Sequence, residues 1–195
     1  MKKIVFLLWL GLLGLLAGPA LAQSDGYAVG DRLSAGAAQT AEGFREIEWD
    51  ALIPADWVPE ELFEGLFDDV DLESLTDADP RALELMKQVQ EVWDSAPVVA
   101  ELDGQRVRIP GFVVPLEGDA KNIREFLLVP YFGACVHVPP PPANQLILVQ
   151  PEKPIPAEWN MWPVWVSGVM GVEREESELG TSGYTLQGLE VVEYE

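Results

Sequence analysis

The stretch Val98-Val99-Ala100-Glu101-Leu102-Asp103-Gly104-Gln105-Arg106-Val107-Arg108-Ile109-Pro110-Gly111-Phe112-Val113-Val114-Pro115-Leu116 is where the period of the chain changes. Before it, apolar residues recur at helical spacing; from Val98 onward they follow the spacing of strands. Asp103-Gly104 is a strong two-residue turn signal, so Val98–Leu102 is expected to run out as a strand and Gln105–Leu116 to return. Proline brings no N–H to a ladder. Pro110-Gly111 within the returning strand therefore predicts an edge position, a bulge or a bend.

Toward the C-terminus, Arg124–Val129, Gln145–Val149, Val164–Val172 and Tyr184–Tyr194 read as further strands. Five or six strands within about 100 residues, with a bend and closely spaced turns, predict a mainly β chain folded as a small OB-like barrel. A sandwich of short strands fits the same pattern. Toward the N-terminus, Asp79 suits an N-cap and Pro80 the first helical position. Ala82, Leu85, Met86, Val89, Val92 and Trp93 then recur on one face until Ser95-Ala96-Pro97 ends the helix. That stripe is expected to dock on the sheet rather than to hold a cofactor. A shorter helix is expected after Pro59, with Trp57, Leu62, Phe63, Leu66 and Phe67 available for packing, so one or two helices precede the barrel.

The first 22 residues predict export. Lys2 and Lys3 form a basic start, Ile4–Ala17 an apolar run of signal-peptide length, and Ala20-Leu21-Ala22 a small-x-small cleavage site. The mature chain is expected to begin at Gln23, in the periplasm, with no later apolar run long enough to span a bilayer. Residues 23–46 are rich in Gly, Ala, Ser and Gln and read as a flexible linker, leaving 47–195 as a single β-rich domain.

Charge excludes one class of partner. The chain holds 12 basic and 33 acidic residues; without Lys2 and Lys3 the balance is ten to 33, a net −23. Binding a polyanion needs a basic stripe, and the Lys and Arg residues are scattered singly, so no nucleic acid is expected. Much of the acid lies in Glu60–Glu73 and Glu173–Glu178. A solvated surface explains it most simply; attraction to a cation or a basic partner is the sharper reading.

Chemistry concentrates between two expected strands. Cys135 and His137 are the sole cysteine and the sole histidine, two residues apart, so no intramolecular disulfide can form. In extended backbone they would share a face. Three readings stay open: a structural pair, two ligands for a thiophilic ion such as Zn²⁺, or a nucleophile with its base. Zinc wants four ligands, and a second histidine, HExxH and CxxC are all missing, so any others would be carboxylates, water or another protein. Pro139, Pro140, Pro141 and Pro142 fix four φ angles and remove four donors. They form either a strut that positions Cys135, His137 and Asn144 or a ridge for a partner's aromatic groove, with Asn144 beside it. Trp159, Trp162 and Trp165 either close a barrel end or form the floor of a ligand site. Ser167 lacks a Gly-x-Ser-x-Gly elbow, so no serine hydrolase is expected.

Val107–Glu117, then Phe126–His137 with the Pro-Pro-Pro-Pro-Ala-Asn-Gln that follows it, Trp165-Val166-Ser167-Gly168 and the Gly183-Tyr184 strand together resemble a family of exported bacterial proteins of unknown function. The likeness spans residues 47–195, with Cys135, His137 and the proline run as its signature. The resemblance implies genes beside ABC-type permeases, some of them in operons answering to zinc limitation. It carries no settled activity. The expectation is a periplasmic, non-enzymatic accessory protein linked to zinc or to an envelope permease, with an interaction adaptor without metal and a cysteine-dependent enzyme as rivals.

Overall fold

Thirteen residues, Arg106–Gly118, form one bent strand shared between two neighbours, and this sharing closes the barrel. The structure, a computed structural model, describes residues 26–35, 43–59, 76, 79–135 and 140–194. Among these the elements run β1 (Arg45–Glu46), α1 (Pro80–Asp94), β2 (Arg106–Gly118), β3 (Asn122–Val129), β4 (Ile147–Pro151), β5 (Ile155–Pro156), β6 (Pro163–Gly171), β7 (Glu175–Ser177), β8 (Gly180–Ser182) and β9 (Tyr184–Glu193). The helix expected after Pro59 falls largely outside the described residues.

β2 pairs with β6 from Arg106 to Phe112 and with β3 from Phe112 to Gly118. The circuit β2–β3–β4–β9–β6–β2 is thus a closed five-stranded barrel, antiparallel throughout except for the parallel pair β4–β9. β1 and β5 extend its edges, and β7–β8 form a separate hairpin. The OB-like barrel read from the strand pattern is the observed architecture.

Alternation explains how β2 serves two layers. Val107, Ile109 and Val113 point into the barrel with Phe126, Leu128, Ile147, Val149, Val164, Val166 and Leu186, all buried. Phe112 and Val114 point outward and join Leu127, Val129, Leu146 and Leu148 in a second apolar layer. Each fully buried aliphatic or aromatic side chain contributes roughly 1.5–3 kcal/mol relative to exposure. The second layer is covered by Leu33 and Tyr27. Of the stretch read as a linker, the described residues 26–35 and 43–46 therefore lie on the barrel.

Pro110 is tolerated because its backbone faces away from β6. Its carbonyl accepts the Trp49 indole N–H at 2.7 Å, and the N–H it lacks would point to the same side. Gly111 marks the bend. A Cβ there would lie 2.7 Å from Leu128 Cγ and 2.9 Å from the Val129 carbonyl oxygen.

Two local expectations change. Val98–Leu102 is not a strand: Ala100–Leu102 is a turn of 3-10 helix, and Gly104, at φ 71°, reverses the chain. Gly104 N–H donates to Met170 O and Met170 N–H to Gln105 O, so β6 takes the pairing that the hairpin would have used. Helix α1 starts as read, its Asp79 carboxylate accepting from Arg81 N–H at 2.8 Å. Yet none of its residues is fully buried, and Met86 is 52% exposed. Instead of docking across the barrel sheet, α1 packs on β8 of the separate β7–β8 hairpin.

The bend yields a stability test. Gly111→Val should lower unfolding free energy by about 1–3 kcal/mol, because the added branch must displace Leu128 or the β3 backbone. Urea denaturation of the two forms measures it; equal midpoints would show that the strand crossing has room to spare.

Candidate functional site

Many OB barrels bind along the outer face of their second and third strands. Here those strands are β3 and β4, and their outward Leu127, Val129 and Leu148 are buried by the protein's own chain. The cover is specific. Phe132 N–H donates to Asp31 O and Gly30 N–H to Phe132 O, both at 2.9 Å. Arg32 bridges to Tyr131 through the backbone and lies over its ring at 5.5 Å, while the Tyr27 ring meets Phe112 edge-on at 5.2 Å. A ligand must bind elsewhere.

The covering loop ends at Cys135. Gly133 takes φ 87° and Cys135 φ 62°, a left-handed conformation that is uncommon for a residue with a Cβ. The Cys135 side chain is half-buried against the second apolar layer. Burial pushes its thiol pKa up to about 12, so it is protonated at neutral pH. Burial also raises Tyr131, with the nearby Cys135 adding to the rise and Arg32 opposing it. A protonated thiol is a weak nucleophile and a weak metal ligand until something takes its proton.

The same thiol reaches a cleft of about 570 Å³. Gln90 and Asp94 of α1 form one wall, Pro140 another, and the β7–β8 hairpin brings Glu176, Ser177 and Glu178. Three carboxylates thus share a space of ligand size. The cleft also holds one arginine, which offsets one of the three charges: the Arg174 guanidinium donates to the carbonyls of Asp94 and, at 3.0 Å, Ala96, tying down the C-terminus of α1. Asp94 itself accepts from Gln90 Nε2 at 2.9 Å. No three His, Cys, Asp or Glu side chains among the described residues stand close enough to share one metal ion. Cys135 therefore lacks a ligand set of its own there, and His137, with Pro139, lies outside the described residues.

The described half of the proline run is packed. Pro140 is half-buried against the hairpin, where a Cβ on Gly180 would come within 2.9 Å of its Cβ; Pro141 is buried. Pro142 is half-buried and borders a second cleft, of about 350 Å³, with Trp57 and Trp93. Asn144 is fully buried: its Nδ2 donates to Pro97 O at 3.0 Å, while its Oδ1 has no hydrogen-bond partner among the described residues. Gln145, absent from the sequence-based site, donates to the Trp49 and Asn144 carbonyls, each at 3.0 Å. Gly183 N–H donates to Ala143 O at 2.7 Å. Two amide side chains directly after a run that has lost its backbone donors were the available signal for this knot.

The tryptophans part company. Trp159 and Trp162 are half-buried and pack on the barrel interior from one end. Trp165 is buried on the outer wall, stacked on Tyr194 at 5.6 Å and under the Arg108 guanidinium at 4.5 Å. Arg108 is also 3.6 Å from Glu46, so this stack fastens β1 to β2, β6 and the end of β9. The three indoles form no common floor.

A family model described as a protein of unknown function, DUF3299, matches residues 49–193. A crystal structure of a protein of that family from Pseudomonas aeruginosa PAO1, at 2.45 Å resolution, is 38% identical. The match covers 78% of this chain and 97% of that one, with a TM-score of 0.58. Among curated proteins no match is found.

The buried thiol gives a pH signature. Iodoacetamide should alkylate Cys135 slowly at neutral pH, with a rate rising about tenfold per pH unit to well above pH 9. The folded-state pKa is raised, so the stability linked to this group is present below the unfolded value and lost as pH climbs toward 12. A rate that levels off near pH 7 would mark an activated thiolate instead.

Proposed function

The chain belongs to the DUF3299 family of proteins of unknown function, and on that premise we propose a non-enzymatic accessory protein of the bacterial periplasm that acts by binding. Its seat is the cleft between α1 and the β7–β8 hairpin. One observation carries the reading. Asp94 of α1 and Glu176 and Glu178 of the hairpin come together there, and with Arg174 as the one cation of the lining the cleft keeps a net negative charge. A protonated Cys135 at the rim argues against a thiol enzyme. The export signal read in residues 1–22 supports the compartment. An ABC-type permease or another envelope protein is the proposed partner class.

A second reading has one observation in its favour. Cys135 shares the cleft with the three carboxylates, so Cys135 and His137 could hold zinc with oxygen ligands from the cleft or from a partner. Carboxylates also raise the local concentration of cations.

Two measurements separate these. A photo-crosslinking residue placed at Ser177 in the exported protein should give a discrete adduct with an envelope protein; no adduct from living cells would overturn the accessory reading. Metal content of the mature chain, purified without a histidine tag, should be compared with Cys135→Ser and His137→Ala. Near-stoichiometric zinc lost by both variants would establish the metal reading, whereas a wild type that cannot be loaded at micromolar zinc would remove it.

A further inference from the structure

We infer that α1 and the adjoining cleft form a docking surface for a basic, amphipathic segment of a partner protein. This rests on the cleft being the binding seat and names what it recognises. Leu83 and Met86 are 59% and 52% exposed on a helix that buries no residue completely. At helical spacing they lie on one side of α1 with Gln90 and Asp94, which are the helix's contribution to the cleft wall. Two exposed apolar side chains, with Lys87 beside them 3.7 Å from Glu91, thus lead along α1 toward a space lined by Asp94, Glu176 and Glu178.

Charge selects the occupant. A second copy of this chain brings a net charge of −21 and meets carboxylate with carboxylate. Residues 60–75 of the chain itself carry seven acidic and no basic side chains, so they lack the cations that such a cleft selects. Anionic lipid and nucleic acid are disfavoured on the same ground. A segment with apolar side chains on one face and Lys or Arg toward one end satisfies both halves: its apolar side covers Leu83 and Met86, and its cations enter the cleft, where three carboxylates outnumber Arg174.

The probes are a synthetic amphipathic Leu/Lys helix, a scrambled peptide of equal charge that is not amphipathic, and a Leu/Glu counterpart. Fluorescence anisotropy with the mature protein should show saturable binding of the first, weakening with salt, and none of the Leu/Glu peptide. Leu83→Ser with Met86→Ser, and separately Asp94→Asn with Glu176→Gln and Glu178→Gln, should each weaken it at least tenfold. All the altered side chains are at the surface or in the cleft, and circular dichroism checks that both variants fold. Equal binding of the scrambled peptide, indifference to either set of substitutions, no binding, or a dimer dissolved by the Leu83/Met86 pair would each overturn the inference. The crosslink from Ser177 distinguishes the levels: an adduct that forms without peptide binding leaves the accessory reading standing and removes this one, while loss of the adduct removes the reading beneath it.

Discussion

The fold depends on a single strand serving two neighbours. β2 can pair with β6 along one half and β3 along the other only if it turns sharply between them, and Gly111 is where it turns. A side chain at that point would enter the space of Leu128 and the Val129 carbonyl, pushing β3 away and opening the barrel. An open barrel would expose both apolar layers, since β2 contributes to each: Ile109 and Val113 inside, Phe112 and Val114 outside. Pro110 helps by having no donor on the edge that Trp49 covers.

Closure leaves little room for the binding mode common on such barrels. The outer face of β3 and β4 is covered by residues 27–33 and by the loop at Tyr131–Cys135, which leaves the cleft beside α1 as the space for the binding proposed above. Nearby, the knot at Ala143–Gln145 joins distant parts of the chain: Asn144 bonds Pro97 after α1, Gln145 bonds Trp49, and Ala143 accepts from Gly183 at the entry to β9. The β7–β8 hairpin packs on this knot through β8, and Arg174, which leads into the hairpin, ties it to the end of α1.

Strand existence was legible because short apolar, β-branched runs bounded by turn residues mark strands, as the wholly buried Ile147, Leu148 and Val149 do. What pairs with what was not. Asp103-Gly104 does reverse the chain, but the partner that receives it is β6, more than 60 residues later, and no local pattern reports that. Helix α1 was legible by its cap and period, while the exposure of Met86 follows from the helix packing on the β7–β8 hairpin rather than across the barrel sheet. At the site, residue types near Cys135 marked the right loop. The carboxylates that join it come from α1 and the β7–β8 hairpin, which only tertiary structure brings together. The tryptophans misled through proximity in sequence: alternation along β6 turns Trp165 outward, away from Trp159 and Trp162.

The Tyr184 hydroxyl joins parts of the chain that are far apart. It donates to Leu52 O and accepts from Val99 N–H, both at 2.7 Å, across sequence separations of 132 and 85 residues. Gln145 reaches Trp49 across 96. Contacts of such range give slow folding, because the loops must close before any of them returns free energy. The Leu52 carbonyl and the Val99 N–H of the N-terminal half find this partner only when residue 184 has been made. Under the export proposed above, that delay would keep the polypeptide threadable until the last strand is through.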